Sequence, residues 1–164
     1  MTIFELNIFK DSLGISESGG NYNNDLGQYW GKYQFGDARR TDIEQMLGID
    51  HHLMRAEFIP DMQETFFTAH VQDLENKIYQ AGLDKYFGTG IQGKSNGIVA
   101  QINKYGEIAG AHLGGWTGLQ KYFSSNGSYD PADSLGTHIS DYIAKFSDIS
   151  KKKTKIRLAS QGSA

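Results

Sequence analysis

The stretch from Pro60 to about Gln80 constrains the fold more than any other, because it reads as one long helix. Proline suits the first helical position, where its missing N–H costs nothing. Phe66, His70, Leu74 and Ile78 then recur at helical spacing and predict a single buried stripe. A chain of 164 residues built around such a helix fits one domain with a substantial core.

The elements around it are also mostly helical in pattern. Thr2 and Glu5 fit a capping box, and Phe4, Ile8, Phe9 and Leu13 follow at helical spacing. Gly14 is expected near the end of that helix, leaving Glu17 just beyond it. From Glu17 to Gly36 the density of Gly, Asn and aromatic residues predicts loops or a short hairpin. Asp37 is expected to cap a helix that carries Ile43, Met46 and Leu47 and closes at Gly48. Gly88 to Gly97 reads as a polar break, followed by helical segments around 98–105, 108–113 and 117–123. A loop over 124–133 then precedes a last helix, roughly Thr137 to Phe146, burying Ile139, Tyr142, Ile143 and Phe146. The expected fold class is mainly α, with a helical lobe and a small irregular or β-containing lobe near the N-terminus. The expected division is one domain over residues 1–150 and a basic C-terminal tail over 151–164, with no internal repeat.

Charge and composition narrow the function classes. Lys151, Lys152, Lys153, Lys155 and Arg157 are 5 of the 16 basic side chains, so residues 1–150 hold 16 − 5 = 11 against 19 acidic ones. A body of net charge −8 repels phosphate backbones, so nucleic acid is not an expected partner even though the tail is basic. No apolar run approaches the roughly 18 residues that span a bilayer, so no membrane insertion is expected. The start, Met1 to Leu6, has neither a basic n-region nor a small-residue cleavage site. The expectation is synthesis in the cytoplasm without a signal peptide, any action outside the cell requiring release or delivery by other means. The chain has no cysteine, and the spacing of His51, His52, His70 and His138 fits no metal motif. No metal and no cofactor are expected.

Chemistry concentrates in two short blocks. One is Glu17-Ser18-Gly19-Gly20-Asn21-Tyr22, the other Gly31-Lys32-Tyr33-Gln34-Phe35. Glycines allow sharp turns and close approach of a polymer. Aromatic and amide side chains stack on sugar rings and hydrogen-bond them, and an apolar wall can keep a carboxyl protonated. Glu17 is therefore the candidate general acid for glycoside cleavage. Asp25, within the same irregular segment, is a candidate second carboxylate; Asp37 is another, although it reads more readily as a helix cap. Tyr22, Tyr29 and Trp30 are candidate stacking residues.

These two blocks resemble motifs of the lysozyme superfamily, in particular its lytic-transglycosylase, goose-type and resuscitation-promoting-factor branches. Those families carry Glu-Ser-Gly-Gly-Asn plus an aromatic at a helix end, then a Gly-rich block ending in Gln or Gln-Phe that lines the cleft. The resemblance covers about 20 residues. A third motif, Ala-Tyr-Asn-Ala-Gly, has its weaker counterpart in Ala111-His112-Leu113-Gly114-Gly115, where the Tyr and Asn are replaced. The resemblance implies a lysozyme-like α+β fold with a cleft between its lobes. It implies a peptidoglycan-cleaving enzyme acting on the β-1,4 bond between N-acetylmuramic acid and N-acetylglucosamine, with Glu17 as acid and base. Ser18, Tyr22, Tyr33, Gln34, His112 and Trp116 are then the expected substrate contacts, Ser18 orienting Glu17 or bonding the glycan. In the transglycosylase branch the substrate's own 6-hydroxyl attacks the anomeric carbon, and no second carboxylate is needed. The expected partner is the glycan strand, for a monomer or a component of a phage particle. The alternatives are a non-catalytic wall-binding or virion module of the same fold, and a chitinase or chitosanase.

Overall fold

The structure, a computed structural model, describes residues 2–162 apart from the side chains of residues 150–157, so the tail cations Lys151, Lys152, Lys153, Lys155 and Arg157 lie outside the described residues. The chain is mainly helical, with one two-stranded antiparallel sheet among the described residues. It divides into two compact units, Met1–Asp73 and Leu74–Ala164, with the boundary inside a helix.

In the first unit, α1 spans Ile3–Ser18, α2 spans Asp37–Met46, and α3 begins at Pro60 on its way to Gln80. The capping box at Thr2 is formed: Glu5 N–H donates to Thr2 Oγ1 at 3.2 Å and Thr2 N–H to Glu5 Oε2 at 2.9 Å. α1 runs past Gly14 and ends where Gly19 adopts φ 68°. Gly14 is a packing glycine instead, since a Cβ there would lie 2.6 Å from Lys32 Cε. Phe9 and Leu13 are buried, but Phe4 is 39% exposed at the free end of the helix.

α2 also differs from expectation. Gly36 is its N-cap and Asp37 its first residue. Only Ile43 of the expected apolar set is buried, with Met46 and Leu47 exposed. In their place Arg40 and Glu44 turn inward, Arg40 donating to the carbonyls of Phe35 at 2.6 Å and Gln28 at 3.0 Å. Burial of α3 follows its sequence pattern, with Phe66, His70, Leu74 and Ile78 all below one tenth exposed. Phe67 joins the stripe, and with Phe9, Tyr33, Phe35, Phe58 and Phe66 it builds the aromatic core of the first unit.

The regular β-structure lies in the second unit and not in the N-terminal segment that holds Glu17. β1 (Gly90–Gln92) pairs with β2 (Val99–Gln101), Ile91 opposite Ala100. Residues 98–101 are therefore extended, not helical: β-branched Ile98 and Val99 suit a strand, and Gly97 at φ 65° closes the hairpin. Its tip is tied to α5, which spans Ile139–Gln161, by Ser95 and Asn96 N–H donating to Asp141 Oδ1 at 2.7 and 3.0 Å. α5 thus continues well beyond Phe146. α4 spans Lys104–Ser124 and is interrupted at Gly115, whose φ 74° and ψ 164° are not helical. The 3-10 turn Leu83–Tyr86 completes the second unit, Tyr86 stacking on Phe123 with ring centroids 4.3 Å apart.

α4 and α5 approach closely because their contact line is made of glycines. A Cβ on Gly106 would lie 2.5 Å from the Ile143 carbonyl, and one on Gly110 2.7 Å from Ile143 Cγ1. A Cβ on Gly114 would fall 2.5 Å from Ile139 Cδ1.

Candidate active site

Glu17 occupies the last turn of α1 and is half-buried. It lies one residue before Ser18 and two before the left-handed Gly19, so the backbone turns sharply away as soon as the carboxylate has been presented. Gly19 and Gly20 N–H close the helix end on the carbonyls of Ile15 and Gly14, both at 3.0 Å. That satisfies acceptors otherwise left open at a helix terminus.

Ser18 joins the two motif blocks. Its hydroxyl donates to the Lys32 carbonyl at 2.7 Å and accepts the Asn21 N–H at 3.1 Å. In the second block Gly31 sits at φ 76°, where a Cβ would drive into the Gln63 side-chain amide. Gln63, 1% exposed on α3, accepts Lys32 N–H at 2.8 Å. It also donates to the carbonyls of Phe58 at 2.8 Å and Tyr22 at 3.0 Å. One buried amide thus holds both blocks.

Beside it Glu64 collects four donors. Tyr33 hydroxyl donates to Oε1 at 2.7 Å, Tyr22 hydroxyl at 2.9 Å and Lys32 Nζ at 3.1 Å, while Lys10 Nζ lies 3.1 Å from Oε2. Burial by itself would raise the Glu64 pKa, but the bonds from Tyr33, Lys32, Lys10 and Tyr22 prevail and hold it at about 2. Burial and the Glu64 carboxylate raise Tyr22 and Tyr33 in turn. For Lys32 burial works downward, and Glu64 overcomes it to raise the pKa. The cluster is thus a fixed anion with two cations and two neutral phenols.

The expected contacts have more specific local roles than the sequence indicates. Tyr33 is fully buried and stacked on Phe67 at 4.0 Å between centroids, so its ring faces the core and not a cleft. Tyr22 is half-buried with its hydroxyl on Glu64. Gln34, at φ 50°, donates its amide N–H groups to the carbonyls of Asn24 and Gly31. Its Oε1 is buried with no hydrogen-bond partner among the described residues. Asp25 accepts Gly31 N–H at 3.0 Å and Arg55 Nε at 2.6 Å, and the bond from Arg55 lowers its pKa. Asp37 is paired with Arg40 at 2.9 Å and lies 3.0 Å from His52 Nε2. Trp30 is capped by the Arg40 guanidinium 3.6 Å from its ring centroid, and Tyr29 is 46% exposed.

His112 and Trp116 are half-buried on α4 in the second unit, on either side of the Gly115 interruption. Gln63, Glu64 and Lys32 escaped the sequence reading. A signal existed for Gln63, an amide one helical turn before Phe67 on the stripe that also buries His70 and Leu74. Among the described residues no group of three His, Asp or Glu converges on a metal position, and no helix is long and apolar enough to cross a membrane. No protein-family model, curated protein or solved structure matches the chain.

Proposed function

We propose that this chain cleaves the β-1,4 bond between N-acetylmuramic acid and N-acetylglucosamine in peptidoglycan, with Glu17 as general acid and base, in a lysozyme-like fold with a glycan cleft. The observation that carries this reading is the bonding between the two motif blocks. Ser18 is tied to the Lys32 carbonyl, and Tyr22, Lys32 and Tyr33 share one carboxylate, so the segments on which the resemblance rests form one structural unit. A rigid frame around a single acid is what glycoside cleavage requires, because a misplaced proton donor loses most of its effect.

The ion pairs favour intramolecular transfer over hydrolysis. Both candidate second carboxylates already have cationic partners, Asp25 in Arg55 and Asp37 in Arg40. In the transfer course Glu17 protonates the bridging oxygen as the bond from the anomeric carbon to that oxygen breaks. The muramoyl 6-hydroxyl then attacks the anomeric carbon and passes its proton back to Glu17. The products are a 1,6-anhydro ring and a new 4-hydroxyl end, with no water consumed. The enzyme would act on the wall after release or delivery, as a lysis factor or within a phage particle.

Mass spectrometry of soluble products from purified peptidoglycan, with wild type and Glu17→Gln side by side, tests this. Anhydro-muropeptides from the wild type alone are expected. Products carrying one added water would transfer the role of second carboxylate back to Asp25 or Asp37. No products from either protein would replace the enzyme with a wall-binding module.

A further inference from the structure

The second unit holds a hollow of about 410 Å³ between the 3-10 turn Leu83–Tyr86 and the last turns of α4. That volume falls in the range of small-ligand sites, roughly 300–1,000 Å³. Its floor is apolar and rigid: buried Leu83 and Phe123, with the Tyr86 ring stacked on Phe123 at an interplanar angle of 14°. Gln120 and Ser124, one turn apart on α4, bring an amide and a hydroxyl to the rim.

The charge of the hollow runs against that of the chain. Lys85 and Lys121 line it, and no carboxylate does. Elsewhere Lys10, Lys32, Arg39, Arg40, Arg55 and Lys104 each have a carboxylate within 4 Å. Lys85 and Lys121 have none among the described residues, although residues 1–150 carry 19 acidic side chains against 11 basic ones. Their ammonium groups rest over aromatic faces, Lys85 at 5.1 Å from the Tyr86 centroid and Lys121 at 5.4 Å from that of Tyr129. Such contacts hold a cation in place without neutralising it.

We infer that this hollow binds a small carboxylate-bearing ligand, and, resting on the function proposed above, that the ligand is the acidic stem peptide of peptidoglycan. Two unneutralised cations match a ligand with one or two carboxylates. An apolar aromatic floor matches alkyl side chains such as those of alanine. A net charge of −8 over residues 1–150 disfavours a dense polyphosphate at the same place.

Isothermal titration tests the assignment, using the full chain carrying Glu17→Gln so that no glycan is cut. The probes are N-acetylmuramoyl tripeptide and the same compound with its carboxyls amidated. The acid is expected to bind at least about five-fold more tightly than the amide, as two exposed charge pairs supply. Combining Lys85→Gln with Lys121→Gln is expected to abolish that preference while leaving the melting temperature unchanged, and added salt is expected to weaken it. Equal binding of acid and amide, or a preference that survives both substitutions, would overturn the assignment. Tighter binding of a glycerol-phosphate polymer than of the tripeptide would also overturn it. Neither probe contains the scissile bond, so a wild type without cleavage products, with the carboxylate preference intact, would remove the enzyme reading and leave the ligand class standing.

Discussion

Glu107 makes the stability of this protein depend on pH in a direction opposite to most acidic groups. It lies in the first turn of α4, is 0% exposed, and neither carboxyl oxygen has a hydrogen-bond partner among the described residues. Burial, and secondarily the negative charge of Asp84, pushes its pKa up from 4.5 to about 8. The folded chain therefore keeps a proton that the unfolded chain releases above 4.5. Stability from this group is fully present below that pH, declines as pH rises and is gone above about 8. Each pH unit in the window is worth about 1.4 kcal/mol, so the whole interval amounts to about 5 kcal/mol. Glu107→Gln replaces the neutral acid with a neutral amide of the same shape. It should match wild type near pH 5 and exceed it by about 3–5 kcal/mol at pH 8 and above, or about 10 °C in melting temperature for a chain of this size. His51 and His52, raised by their hydrogen bonds to Asp50 and Glu44, also lose stabilisation as pH rises, but they do so equally in both proteins. Denaturant unfolding of the pair at pH 5, 6, 7, 8 and 9 reads the difference directly. Parallel curves would refute the reasoning, because they would mean that Glu107 carries its charge in the folded state.

Removing a partner from the Glu64 cluster should cost far more than deleting a surface ion pair. Glu64→Gln takes from Lys32, 8% exposed, its nearer anion and leaves only the exposed Asp11 at 3.8 Å, and should lower stability by about 3 kcal/mol in denaturant titration. The same carboxylate, with its pKa near 2, stabilises the fold above the unfolded value of 4.5 and gives that up as pH falls toward 2. Wild type should therefore lose more stability than the variant on acidification from pH 5 to pH 2. Gly31→Ala forces a left-handed backbone on alanine and pushes its methyl into the Gln63 amide, for a loss of at least about 2 kcal/mol in the same titration. An unchanged midpoint would mean that Gln63 is free to swing aside and does not hold the two blocks together.

Some of this molecule is fixed by local sequence, and the reason is the short range of the interactions concerned. The capping box at Thr2 and the limits and buried stripe of α3 depend on residues within one or two helical turns of each other. Period and capping chemistry therefore reveal them. The sharp turns within the two motif blocks had a sequence signal as well, in their glycines, of which Gly19, Gly20 and Gly31 have positive φ.

Tertiary structure decided the rest. Gly14 is a possible helix terminus in one dimension; only the Lys32 side chain lying across it makes it a packing site and lets α1 run on to Ser18. Residues 98–101 are extended because a partner strand at 90–92 supplies their hydrogen bonds, a pairing that local pattern does not specify. Tyr33 turned into the core because Phe67 and Glu64, more than 30 positions later, offer its ring a stacking face and its hydroxyl an acceptor. Local sequence thus determined that the chain is mainly helical and where the long helix α3 begins and ends. Which polar groups are buried, and what proton each one holds, depended on neighbours brought together from distant parts of the chain, because desolvation and charge pairing act through space and leave no period in the sequence.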